Sequence, residues 1–239
     1  MTPWSVSAAS SIGLASRSEV DMTHDEALDG FLAEQSPSVH RSDRRLVKVV
    51  REGYPIGVPA LIMKSSTDRL GHSAGYSFHL GTPDELLRRI ASWLLTNAGD
   101  DQRVLLRLVS RLWARHGRED VALAALLLAN IDHVALGVDP WAVLADSTRG
   151  SEPAEALLLS IEELLRAGRE MPNEEVLLAW CDSRTVDGHM ALLISYAGTV
   201  RGHTVGEKVL RRLSNVEIPG GDSLLGRVKQ RLQEEQAQD

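Results

Sequence analysis

One cysteine, Cys181, stands among 239 residues. That count excludes an intramolecular disulfide and any zinc cage built on several thiolates. Aromatic residues are almost as sparse at 4%, and half of them are tryptophan. A core must therefore be built from Leu, Ala, Val and Ile, a palette that suits packed helices better than sheets. No apolar run is long enough to span a bilayer; the longest, Val121 to Ala129, is less than half the length required. The first twenty residues lack a basic stretch leading into an apolar one, so no secretory signal is expected and a cytoplasmic address is the default. An excess of positive charge is missing too. Lys and Arg number 26 against 33 Asp and Glu, giving a net charge of −7. As a sum, that argues against a dedicated nucleic-acid binder.

What is present is ordinary for a globular chain: 43% apolar and 25% charged residues. Residues 1–42 are rich in Ser, Ala, Asp and Glu and hold no sustained apolar period beyond a short turn at Ala27–Leu32. They read as a flexible leader to a helical domain over 43–239. Arg44 to Leu80 carries apolar clusters broken by Gly53, Pro55, Gly57 and Pro59, and predicts one or two short helices with loops.

From Thr82 the pattern sharpens. Thr82-Pro83-Asp84-Glu85 spells a helix start with Thr as cap, Pro in the first position and Glu three residues on. Leu86, Leu87, Ile90, Trp93 and Leu94 follow at helical spacing, and Gly99 ends the element. A second helix carries Val104, Leu105, Leu108, Val109, Leu112 and Trp113. A third, Arg118 to Ile131, is apolar nearly all round and should be central and buried. Asp139-Pro140 opens a short helix through Trp141, Ser151-Glu152-Pro153 another, and four more are predicted near 173–182, 187–200, 205–213 and 222–235. Short loops make sequence neighbours antiparallel partners. An offset of 67 residues superimposes Trp113 on Trp180, Asp120 on Asp187, Ala124 on Ala191 and Leu126 on Leu193, the spacing of two helix pairs in a stacked array.

Three stretches carry a family resemblance. Leu112-Trp113, then Arg118-Glu119, then Val121–Ala129 is the first. Asp139-Pro140-Trp141 entering a short helix is the second. Ala179-Trp180, Asp182-Ser183 and Asp187 leading into Met190–Ala197 is the third. Together, over about residues 50–215, they resemble the HEAT-like DNA alkylation-repair family, relatives of the alkylpurine DNA glycosylases. The resemblance implies an all-α, HEAT/ARM-like stack of antiparallel helix pairs. For a glycosylase it implies that Trp141 and Trp180 bracket an extruded base while Asp146 or Asp139 stabilises the charge developing on the sugar. This chain departs from that pattern. The residue one turn after Trp141 is Ala145, and Asp146 is rotated from it by about 100° on an ideal helix; Val205–Leu213 also supplies no second aromatic wall.

Gly71-His72-Ser73-Ala74-Gly75 spells a nucleophile elbow, but Lys64 to Arg69 is too polar for the buried strand that such an elbow requires, so a Gly/Ser loop is expected. Arg103, Arg107, Arg111 and Arg115 recur every four residues, and with Arg118, Arg88 and Arg89 they make the stretch from Thr82 to Arg118 locally basic. That row fits a face for phosphates or carboxylates, or a solvated face satisfied by ion pairs. Trp93, Trp113 and Trp180 sit among apolar neighbours as core residues, whereas Trp141 at its helix start is the tryptophan expected to be exposed. Glu119 and Asp120 should support the start of the buried third helix. The histidines lack metal-ligand spacing, and no dinucleotide fingerprint or phosphate loop appears, so neither metal nor cofactor is expected. The sequence therefore predicts a non-enzymatic helical-repeat module for a protein partner or the DNA backbone, using Arg103, Arg107, Arg111, Arg115, Arg118, Trp141 and Trp180. The alternative is a glycosylase that releases alkylated purines.

Overall fold

A computed structural model describes residues 25–70, 75–99, 101–220 and 223–236. Among these the chain is all-α, with no strand. Helix α1 covers 25–33, and a 3-10 turn at Pro37–Arg41 leads into α2 (Asp43–Gly53) and α3 (Ala60–Leu70). There follow α4 (Asp84–Ala98), α5 (Arg103–Arg115), α6 (Arg118–Asn130), the single turn α7 (His133–Leu136), α8 (Pro140–Ser147) and α9 (Ala154–Arg166). The last four are α10 (Glu174–Cys181), α11 (Thr185–Val200), α12 (Glu207–Leu213) and α13 (Leu224–Gln236). None of these helices is long and apolar enough to cross a membrane.

Two helices organise the packing. From Glu119 to Ala129 every residue of α6 is buried, and α11 is buried from Val186 to Ser195. Helices apolar on all sides need walls on all sides. For α6 the walls are α4, α5, α8 and α9; for α11 they are α9, α10, α12 and α13. The two sets correspond in chain order, with starts displaced by 67 to 71 residues, and both α6 to α11 and α8 to α12 are displaced by 67. This is the offset at which Trp113 meets Trp180 and Asp120 meets Asp187.

The chain before residue 43 differs from the sequence expectation. Residues 25–33 are helical because Leu28 and Leu32, one turn apart, are both buried in the core, with Leu28 and Phe31 lying against Gly53 of α2. The order of this segment comes from that long-range contact, and the leader as far as it is described is part of the domain; residues 1–24 lie outside the described residues. The start of α4 is also different. Thr82 does not cap it: Pro83 is the N-cap, and the buried Thr82 hydroxyl donates to the Tyr54 carbonyl at 2.9 Å. Among the described residues of 44–80 lie α3 and all of α2 but its first residue, Asp43, each helix being eleven residues long.

Candidate anion-binding face

Helix α2 buries Leu46, Val49, Val50 and Gly53, an i, i+3, i+4, i+7 stripe, against the stack and rests on α5. Helix α5 buries Val104, Leu105, Leu108, Val109, Leu112 and Trp113. Both stripes leave cations outside: Arg41, Arg44, Arg45, Lys48 and Arg51 from the first segment, Arg103, Arg107 and Arg111 from the second, all exposed. Over 41–53 and 101–115 there are nine Lys and Arg, counting Arg115, against three acids, in a chain whose net charge is −7. Charge is therefore concentrated here against the overall sign.

The exposed side chains of the row grade inward. Arg103, Arg107, Arg111 and Arg115 are 69%, 55%, 43% and 24% exposed. Each has an acidic neighbour. Arg103 lies 3.5 Å from Asp101, Arg107 3.7 Å from Asp43, and Arg111 donates to the other oxygen of Asp43. The hydrogen bond from Arg111 holds the Asp43 carboxyl below the usual carboxylate range. One carboxylate thus serves two arginines, and the face retains a surplus of positive charge.

The inner end of the row meets a buried polar corner. Helix α5 ends at His116, the one non-glycine among the described residues with a left-handed backbone (φ +62°), and α6 begins two residues later. Asp120, in the first turn of α6, accepts the Tyr54 hydroxyl on Oδ1 at 3.0 Å and lies with Oδ2 3.4 Å from Arg115 Nε. The Arg115 guanidinium also sits 5.4 Å above the Phe78 ring. Burial pushes the Asp120 carboxyl up to about 6, with Arg115 and the Tyr54 hydrogen bond opposing the shift. Burial also raises the Tyr54 phenol well above its ordinary value, with the Asp120 charge acting in the same direction. Beside it Glu119 Oε1 takes the backbone N–H groups of Leu80, Gly81 and Thr82 at 2.8, 2.9 and 3.4 Å. Glu152 pairs with His116 Nε2 at 3.2 Å. Asp120, through the Gly117 backbone, braces the start of α6, whereas Glu119 ties down the segment leading into α4.

The remaining predicted site residues are dispersed. Trp141 is buried, 4% exposed, with its indole N–H donating to the Glu170 carbonyl at 2.7 Å. This overturns the expectation that Trp141 is the exposed tryptophan: the partner carbonyl lies 29 residues away, where local sequence gives no sign of it. Asp139 caps α8 through the Trp141 backbone N–H at 2.9 Å, and Asp146 is exposed near Arg184. Trp113 is fully buried, while Trp180 and Trp93 are only partly so. Arg118 sits at the start of α6, half-buried, and its backbone N–H donates to the Phe78 carbonyl. Arg88 and Arg89 point elsewhere, to Glu163 and to Asp25 and Asp29. The Ser73 motif lies outside the described residues, apart from Gly75. Sequence reading missed the α2 cations and Asp43. Their signal was the stripe Leu46, Val49, Val50, Gly53, which fixes Arg44, Lys48 and Arg51 on the outer side.

No protein-family model, no curated protein and no solved structure matches this chain.

Proposed function

We propose that this chain is a non-enzymatic binding module, built of HEAT-like helix pairs, that holds an anionic partner on the α2/α5 face. The carrying observation is the concentration of nine cations against three acids on two packed segments of an acidic chain. Arginine dominates the set, and its planar fork suits phosphate and carboxylate oxygens. Nucleic-acid backbone is the first candidate partner and an acidic protein surface the second. The matching order of helices around α6 and α11 supports the repeat reading and, with it, a diverged relationship to the DNA alkylation-repair proteins. A cytoplasmic setting belongs to the same proposal.

The glycosylase alternative draws less support. Trp141 is engaged in the core by its indole N–H, and Asp139 is engaged in a helix cap. Both residues therefore have structural roles within the fold.

Fluorescence anisotropy with a labelled DNA duplex across a salt series tests the proposal. Binding should weaken steeply as salt rises, because each neutralised phosphate releases a counterion. Arg103→Glu, Arg107→Glu and Arg111→Glu together should weaken it at least about tenfold at low salt. Wild-type binding unaffected by the triple reversal would refute the face. Absence of binding at low salt would reject nucleic acid and leave an acidic protein surface as the partner.

A further inference from the structure

The arginine row does not stop at its exposed members. Successive positions four apart on a helix rise by about 6 Å, so Arg115 is the next step in line after Arg111. It differs in being turned inward. Its Nε faces Asp120 Oδ2 at 3.4 Å, its guanidinium covers Phe78, and its Nη1 is buried with no hydrogen-bond partner. A guanidinium in its preferred pairing uses two parallel N–H groups on one carboxylate. Among the described residues Asp120 is its one ionic partner, by a single long contact beside the Phe78 ring, and part of its donor capacity is unspent.

We propose that Arg115 is a gated fourth member of the anion-binding row, held in by Asp120 and released toward a bound anion when the Asp120 carboxylate takes up a proton. This rests on the anion-binding reading of the α2/α5 face. Asp120 is the positioning residue and Arg115 the binding one.

The groups that face Asp120 are few. Arg115 comes from α5, Tyr54 from the turn after α2, Glu119 from its own helix, and the Gly117 backbone from the corner. Arg115 and the Tyr54 hydrogen bond favour the ionised carboxylate; burial and Glu119 favour the protonated one, and burial is the largest of these influences. The balance places the proton equilibrium near pH 6, far closer to neutrality than that of an exposed Asp. Proton uptake cancels the charge that holds Arg115, while the neutral carboxyl still accepts the Tyr54 hydroxyl. Linkage then works in both directions: an anion that draws Arg115 outward removes the cation opposing protonation, so binding itself promotes proton uptake.

The test uses the full chain and a labelled DNA duplex at constant ionic strength from pH 8 to 5. Wild type should bind about tenfold more tightly at pH 5.5 than at 7.5, beyond the change shown by Arg115→Gln. Asp120→Asn should bind at pH 7.5 as wild type does at 5.5, with the step gone. Tyr54→Phe, which removes a hydrogen bond to the ionised form, should move the step to higher pH. Calorimetry of wild-type binding at pH 6.5 in buffers of different ionisation heat should register proton uptake, and Arg115→Gln should abolish it. If Asp120→Asn does not fold, the Tyr54→Phe shift and the proton uptake decide the matter. An unchanged step in Arg115→Gln, or binding without proton uptake, overturns the gate. If Arg103→Gln and Arg107→Gln leave affinity intact at every pH, the face itself is refuted. If those two weaken binding but the step survives Arg115→Gln, only the gate fails.

Discussion

The Tyr54 hydroxyl donates to Asp120 Oδ1 at 3.0 Å, joining the end of α2 to the first turn of α6 across 66 residues of sequence. Both groups are fully buried, so neither has water to fall back on. Tyr54→Phe should therefore cost about 1–2 kcal/mol of stability, read as a lower urea midpoint with unchanged slope.

The same pair sets a pH dependence with a definite sign. Asp120 ionises near 6 in the folded chain and near 3.8 when unfolded. Between those values the native state keeps a proton that the unfolded state has released. The contribution is fully present below about pH 4 and is lost as pH rises through 6. Urea unfolding should show about 1 kcal/mol more stability at pH 5 than at pH 7 from this group. Asp120→Asn should remove that difference.

Glu119 holds three consecutive backbone N–H groups with one oxygen. Glu119→Ala should destabilise by on the order of 3 kcal/mol, since those donors lose a charged partner at a buried site. Glu119→Gln retains an acceptor oxygen and should cost less than half as much. Hydrogen exchange at Leu80, Gly81 and Thr82 reports the effect locally, and protection there that is unchanged in the Ala variant would refute the assignment.

Gly117 and Gly198 make a paired test of packing. A Cβ at Gly117 would lie 2.0 Å from the Phe78 ring, and one at Gly198 2.4 Å from the Met171 sulfur. Neither glycine has a left-handed backbone, so neighbours alone decide the outcome. A ring wedged under Arg115 cannot bend, whereas a thioether has rotatable bonds to spare. Gly117→Ala should cost about 1–3 kcal/mol and Gly198→Ala under about 1, by chemical denaturation.

Asp43 competes with any anion for Arg107 and Arg111. Asp43→Asn should tighten duplex binding by about threefold to tenfold at low salt, with the gain shrinking as salt rises. Equal or weaker binding by that variant would mean that the two arginines do not face the partner.

Legibility in the sequence followed the range of the interactions that fix each element. Helices α4 to α6 and α8 to α13 were readable because their apolar spacing, Pro-led starts and glycine stops lie within each segment. The buried character of α6 was plain from Val121 to Ala129. By contrast α1 has only Leu28 and Leu32 to announce it, and α7 is a single turn. The segment from Tyr76 to Thr82 takes its shape from Glu119 and His116, about forty residues away, as the Ser77 N–H bonded to the His116 carbonyl illustrates. The arginine row was visible as a period of four, but its acidic partners Asp43 and Asp120 were not, since ion pairs across helices leave no local pattern. Trp141 misled for the same reason.

Helix α9 is a wall for both α6 and α11. Losing either of those helices strips apolar area from one side of α9, and α9 in turn uncovers the other. The contact shared through α9 couples the packing of α6 to that of α11. Damage near residue 120 should therefore be felt as instability near residue 190, read as lost hydrogen-exchange protection in α11.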